Sequence, residues 1–184
     1  MSQLRMEKDD LNNVPAIPVP EGYILRNYED GDEVGIAVIY GASDLGANTP
    51  DAVRERILQH PCFAPERVFV MEHAGELVGT SCAWLEPSDP GVGYLHMVGV
   101  LPGLRGRRLG AILTIAAIHY TQQEGFSVQR LLTDDFREPA IRLYLDLGYY
   151  PLISDETHPK RWEELATRFG RPEILARART LPTA

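Results

Sequence analysis

The sequence predicts a mixed α/β fold, a sheet flanked by helices, and three observations lead to this fold class. β-rich runs and segments of helical periodicity are intermixed along the chain. Two of the runs, Arg67–Glu72 and Leu77–Leu85, are separated by the turn dipeptide Ala74-Gly75, which indicates a hairpin. A further strand, Tyr94–Val100, leads through a glycine- and arginine-rich loop directly into a helix.

The first third of the chain predicts one strand and two helices. Tyr23–Tyr28 is a β-rich run, and a helix follows from Asp32 with acidic residues at its positive end. Thr49 is a suitable N-cap, and Pro50 fits the first helical position. A second helix is therefore expected there, ending before Pro61.

The second half predicts helices and strands in alternation. A helical pattern covers about Arg107–Glu124, with Gly125 as its stop, and a short strand follows at Arg130–Thr133. Another helix opens at Pro139 and closes at Gly148. Two elements complete the chain: a strand at Tyr149–Ile153 and an amphipathic helix containing Trp162 and Phe169.

Length and composition indicate one domain. With 184 residues, 44% of them apolar, the chain can bury one core but is short for two. We expect an N-terminal arm at residues 1–21, the domain at 22–153, and a helical extension at 154–184 packed on it. Prolines stiffen the end of the arm and block helix formation: Pro15, Pro18 and Pro20.

Charge and hydropathy exclude some functions. The net charge of −8 argues against nucleic-acid binding, which needs a basic surface, and suits either plain solubility or a cationic substrate. The polar start lacks a signal core and no stretch could span a bilayer, so we expect a cytoplasmic protein without a membrane partner. Cys62 and Cys82 lack metal-ligand spacing, so no metal site is expected. Reduced thiols are a simpler interpretation than a disulfide.

The segment Val98–Gly110 is the one most indicative of chemistry. A strand enters a loop of small and basic residues, and a helix starts directly after it. Helix N-termini leave backbone N–H groups unpaired and carry partial positive charge, so this loop is suited to a pyrophosphate. The sequence lacks the endings typical of a P-loop or a dinucleotide fingerprint. The alternative is a solvated arginine-rich loop that only caps the helix.

Two motifs resemble those of the GNAT acyltransferase family. Val100–Gly110 (VLPGLRGRRLG) is similar to the family's V-x-P-x-x-R/Q-x-x-G-x-G/A, and Ala140–Tyr149 (AIRLYLDLGY) to its A-I-x-L-Y-x-x-x-G-F/Y. The resemblance covers about residues 21–153. It implies the GNAT fold, with a mostly antiparallel sheet whose fourth and fifth strands splay apart.

Two departures from the family pattern concern the site. Arg108 stands where the family usually has glycine, and we expect it in the first helical turn, where arginine fits and can reach a phosphate. Whether this arginine weakens coenzyme A binding stays open. The segment Arg137-Glu138-Pro139 replaces an asparagine that often precedes the second motif.

The resemblance implies an N-acetyltransferase that uses acetyl-CoA, with direct attack by a primary amine in a ternary complex. Backbone groups of Val98 and Val100 would pair with the pantetheine arm, and Tyr144 would protonate the departing thiolate. Tyr144 is otherwise one of the apolar-face positions of its helix. The residues expected to bind the cofactor are Val98, Val100, Arg105, Gly106, Arg107, Arg108, Leu109 and Gly110.

The general base is less well defined. Tyr94, His96 and Val98 are expected to alternate onto one face, and His96 would titrate in a useful range. The alternative for His96 is a buried structural histidine. Other carboxylates that could approach the acceptor are more typical of turns and caps: Glu86, Asp134 and Asp135.

Three functions therefore compete. The first is an acetyltransferase acting on an amine of a small molecule or protein. The second is a non-catalytic module that binds acyl-CoA as a sensor or scaffold. The third, a nucleic-acid-binding domain, is opposed by the net charge. The acceptor, the acyl chain length and the oligomeric state stay open, because the last helix either closes its own domain or forms a dimer contact.

Overall fold

The computed structural model of the protein describes residues 2–16, 18–86 and 89–181, which form one eight-stranded sheet with helices on both faces. The strands are β1 (Leu4–Lys8), β2 (Tyr23–Asn27), β3 (Val68–His73), β4 (Glu76–Leu85), β5 (Val92–Val100), β6 (Val128–Thr133), β7 (Tyr150–Ile153) and β8 (Arg179–Thr180). The helices are α1 (Glu33–Ala42), α2 (Pro50–Val53), α3 (Leu109–Gln123), α4 (Glu138–Asp146), α5 (His158–Phe169) and α6 (Glu173–Ala176). A π-helical turn, Arg54–Leu58, continues α2.

The strand order is β2-β3-β4-β5-β6-β1-β7-β8, and most neighbouring strands are antiparallel. The central pair, β5 and β6, is parallel and is joined only between Val92–Leu95 and Val128–Leu131. Beyond those residues the two strands separate. The expected mixed, mostly antiparallel sheet with two splayed strands is confirmed, and so is the β3–β4 hairpin.

The segment predicted as an N-terminal arm contains an interior strand. β1 pairs with β6 on one side and β7 on the other, and Leu4 and Met6 are fully buried. The run LRMEK is short and carries only two apolar side chains, so it has no clear strand signal of its own. Pairing on both sides satisfies its backbone groups, which is a tertiary effect.

A bulge in β5 changes the face on which its side chains lie. Cys82 pairs with His96 but Thr80 pairs with Gly99, so β5 has one extra residue, and Met97 takes a positive φ of 52°. His96 lies on the face covered by α1, whereas Val98 packs with the cluster around α3. The expected alternation of Tyr94, His96 and Val98 onto one face is therefore wrong at Val98.

Two hydrophobic clusters hold the layers together. One lies between the sheet and α3, α4 and α5, and includes Trp162 and Leu165, both fully buried. The other lies under α1 and includes Cys62 and Cys82, which are buried free thiols. Burial raises the pKa of both, to about 12 for Cys82. Within the described residues no helix is long and apolar enough to cross a membrane, and no three ligand side chains are placed to hold a metal ion.

Candidate functional site

A groove of about 1340 Å³ opens where β5 and β6 separate. On the α3–α4 side its walls include Arg105 and Tyr144, and on the α1 side they include Trp84 and His96. The groove therefore connects the two faces of the sheet through the gap between the splayed strands. The gap begins just past Leu131. The neighbouring Arg130 binds Glu7 at 2.7 Å and Asp89 at 2.9 Å, so it ties β6 to β1 and to the loop before β5.

The loop between β5 and α3 turns through left-handed backbone. A short 3₁₀ turn at Pro102–Leu104 is followed by Gly106, with φ of 80°, and by Arg108, with φ of 62° and ψ of 11°. Arg108 is the N-cap of α3, so the expectation that it lies in the first helical turn is wrong. The turn from the loop into α3 requires left-handed backbone at this position. That conformation costs about 1–2 kcal/mol for a residue with a Cβ. Glycine at this position in the family is explained by the same geometry.

The loop presents a row of free backbone N–H groups. Among the described residues, the N–H groups from Gly106 to Gly110 have no hydrogen-bond acceptor. Because α3 has 15 residues, these donors coincide with the positive end of a long helix. This arrangement suits a bound diphosphate.

Seven of the eight predicted cofactor residues line the groove: Val98, Val100, Arg105, Gly106, Arg108, Leu109 and Gly110. Arg107 does not, because its guanidinium donates to the Tyr23 hydroxyl at 3.2 Å. Within the described part of the chain, none of the three arginines of the loop has a carboxylate within ion-pair distance. Arg105 and Arg108 are thus available to an anionic ligand.

Tyr144 reaches the groove from α4. Its side chain is 7% exposed, its ring meets Tyr149 edge-on at 5.8 Å, and its hydroxyl bonds to no other described residue. Burial raises the pKa of Tyr144 to about 12, and Arg137 opposes this shift only partly. The phenol is therefore protonated at neutral pH and can donate a proton.

His96 lies at the other end of the groove in an aromatic cluster. Its ring is 5.9 Å from that of Trp84, which stacks on His60 at 5.4 Å with an interplanar angle of 2°. His96 is an exposed residue that lines the groove, yet desolvation by the groove walls, together with repulsion from His60 and Arg56, lowers its pKa to about 4. It is therefore uncharged at neutral pH and a weak base, which differs from the expected useful titration range.

The three carboxylates that could approach the acceptor differ in their partners. Asp134 and Asp135 are engaged by Arg137 and Arg161, respectively, and Glu86 lines the groove. Arg137 also donates to the carbonyls of Ser43 and Asp44, at 3.0 and 2.7 Å, so it links the loops after β6 and α1.

Sequence reasoning missed the role of Arg137 as a link between two loops, and it missed three residues that line the groove: Arg56, His60 and Trp84. No local pattern marks these three as members of one site. They meet only because the π turn after α2 packs beside the end of β4.

Comparison with known proteins identifies the family. The model of the acetyltransferase (GNAT) family matches residues 40–149. Mycothiol acetyltransferases of Thermomonospora curvata and Thermobispora bispora are 33% and 34% identical to this chain, over 80% and 79% of its length. The chain spans about half of these relatives, 50% and 52%.

A solved structure supports the fold. The GCN5-related N-acetyltransferase from Sphaerobacter thermophilus superposes with a TM-score of 0.63 at 22% identity, over 82% of this chain and 49% of that one. At 22% identity this similarity supports the fold and nothing further. The family match covers both the loop between β5 and α3 and the helix that carries Tyr144, and on that ground the chain belongs to the GNAT acetyltransferase family.

Proposed function

We propose that the protein is an acetyl-CoA-dependent N-acetyltransferase that acts on a primary amine. The observation that carries the proposal is the row of free N–H groups from Gly106 to Gly110 at the start of α3. It lies beside a groove that continues through the gap in the sheet. A pyrophosphate would bind this loop, and Arg105 and Arg108 would add charge.

The gap between the splayed strands suits an extended pantetheine arm. Past Leu95, β5 no longer pairs with β6, so its backbone groups on that side can pair with a ligand. Val98 and Val100 belong to this free edge and line the groove. An arm bound there would bring the thioester towards Tyr144 and the amine acceptor towards His96.

The reaction needs positioning and proton transfer. The amine attacks the thioester carbonyl, the new C–N bond forms, the C–S bond breaks, and Tyr144 gives its proton to the leaving thiolate. The low pKa of His96 makes it an acceptor of a hydrogen bond from the amine, while water takes the proton. The curated relatives are named for mycothiol, so small-molecule amines are the first acceptors to screen.

Calorimetry and turnover test the proposal together. Acetyl-CoA should bind with measurable heat, and free thiol should be released when an amine library is added. Tyr144→Phe should lower kcat about 10²-fold without changing the Kd for acetyl-CoA, because it removes only the proton donor. Tyr120→Phe is the matched control, since Tyr120 lies on α3 outside the groove and packs against Phe69.

The low pKa of His96 also favours a second candidate, an acyl-CoA-binding module without turnover. Binding of acetyl-CoA without thiol release for any amine would support this module. Absence of binding would contradict both candidates.

A further inference from the structure

The acceptor end of the groove, defined here as Arg56, His60, Trp84, Glu86 and His96, carries a cation that the protein does not neutralise. Arg56 has no carboxylate within ion-pair distance among the described residues. Its close neighbour in sequence, Arg54, is instead bound to Glu33 and Asp51. Within the described part of the chain, eight of the sixteen arginines form ion pairs, and Arg56 is among the eight that do not.

The backbone explains why Arg56 reaches the groove. It lies within the π-helical turn Arg54–Leu58, and such turns carry an extra residue that redirects side chains, often at functional sites. Across the groove wall, a Cβ on Gly46 would lie 3.0 Å from Nη1 of Arg56. Gly46 therefore leaves room for the guanidinium, and its φ of 84° suits glycine. Arg56 also lies close enough to His96 to help lower the pKa of that imidazole.

The charge of the groove contrasts with that of the whole chain. The groove is lined by six arginines and four carboxylates, although the chain has a net charge of −8. Arg130 and Arg137 are paired with carboxylates of the protein. In the proposed function, Arg105 and Arg108 face the coenzyme, which leaves Arg5 on β1 and Arg56. Of these two, Arg56 is the one whose charge acts on His96, so we assign it to the acceptor.

We propose that the acceptor is a primary amine that bears a carboxylate, and that Arg56 binds this carboxylate. The inference rests on the proposed acetyltransferase function. A guanidinium matches a carboxylate with two parallel hydrogen bonds and fixes its orientation, which places the amine beside His96.

Arg56 also contributes to releasing the nucleophile. When Arg56 pairs with the substrate's carboxylate, it cancels a negative charge that would favour the protonated amine, so the bound amine loses its proton to water more readily. This role does not need a strong base at His96. The same side chain therefore selects the acceptor and favours its reactive form.

The experiment compares amino acids with their primary amides as acceptors, because the amide keeps the amine and replaces the carboxylate by a neutral group. Wild-type protein should acetylate the acids with a kcat/KM at least about tenfold higher than that of the amides. Arg56→Ala should lower kcat/KM for the acids about tenfold or more and leave that for the amides within about twofold. Arg56→Glu should reverse the preference, and Arg56→Lys should keep part of it.

Arg168→Ala is the control for loss of an exposed arginine, because Arg168 pairs with Glu138 outside the groove. In Arg168→Ala the ratio of kcat/KM for the acids to kcat/KM for the amides should equal that of the wild type. Two results would overturn the role of Arg56: an equal kcat/KM for acids and amides in the wild type, or an equal loss of kcat/KM for both in Arg56→Ala. If thiol were still released in these assays, the proposed acetyltransferase function would stand. Absence of both coenzyme binding and thiol release would overturn the two together. Thermal melts of each variant verify folding.

Discussion

At the scale of single residues, three side chains of the groove behave unlike their residue types in water. Arg108 has left-handed backbone, His96 is a histidine with a pKa of about 4, and Tyr144 is a phenol with a pKa of about 12. The first is imposed by the turn into α3, and the other two by desolvation within the groove. Arg108 and His96 give the predictions that follow.

Replacement of Arg108 separates strain from charge. Arg108→Gly should raise the free energy of unfolding by about 1 kcal/mol relative to Arg108→Ala, because glycine adopts φ of 62° without the Cβ clash. Both variants lose the guanidinium, so both should bind acetyl-CoA more weakly by a similar factor. Urea unfolding and calorimetry measure the two effects. Equal stability of the two variants would contradict the left-handed backbone.

The pKa of His96 predicts a pH dependence of stability. In the unfolded chain His96 titrates near its ordinary 6.5, and in the folded protein near about 4. Between these values the unfolded state binds more protons, so the free energy of unfolding rises with pH and then levels off. His96→Gln should flatten this rise, measured by urea unfolding across the same pH range.

An NMR titration tests the cause of that pKa. The imidazole signal of His96 should have its midpoint near 4 in the wild type, and Arg56→Ala should raise it because one nearby cation is removed. Arg168→Ala should leave the midpoint unchanged. A midpoint near 6.5 in the wild type would show that the groove does not desolvate the ring.

At the scale of elements, two irregularities create the site. The bulge at Met97 directs His96 to one face of the sheet and Val98 to the other, so one strand contributes to both ends of the groove. The link made by Arg137 holds the loop after α1 beside the loop after β6. Asp44, in the first of these loops, has a positive φ of 53°.

Loss of the Arg137 link should loosen the loop after α1. Arg137→Ala removes two hydrogen bonds to the carbonyls of Ser43 and Asp44, and one to Asp134. We expect a loss of about 1–2 kcal/mol in the free energy of unfolding and faster hydrogen exchange at residues 43–46. Arg137→Lys keeps the charge but not the fork, so it should resemble Arg137→Ala. Unchanged exchange in both would refute the link.

At the scale of the whole molecule, the sheet consists of two antiparallel groups joined by a short parallel contact. β2–β5 form one group and β6, β1 and β7 the other, with the groove at their junction and the two-residue β8 added in parallel at the outer edge of β7. Because β1 is interior to the second group, the first residues of the chain support the wall of a site that is formed mainly by residues far along the sequence.

Truncation of a β1 side chain tests this integration. Met6 is fully buried, so Met6→Ala should lower the free energy of unfolding by about 2–5 kcal/mol. Glu21→Ala, an exposed change in the same N-terminal segment, should stay within about 0.5 kcal/mol. Urea unfolding measures both. A similar small effect for the two variants would mean that residues 1–21 do form a separate arm.

The sequence by itself determined what is local: the β3–β4 hairpin, the helices bounded by Gly125 and Gly148, and the loop that precedes α3. Turns, helix ends and short motifs depend on residues that are close together in the sequence, so they can be predicted without knowledge of the tertiary structure. Family resemblance added the splayed strands.

Tertiary structure alone decided the rest. β1 is a strand because it pairs with β6 and β7 on either side. Arg108 adopts left-handed backbone because of the turn from β5 into α3. His96 and Val98 lie on opposite faces of the sheet because a bulge separates them. Arg56 meets His96 although 40 positions separate them in the chain. These features depend on pairing, packing and desolvation between distant segments, and no single stretch of sequence encodes such interactions.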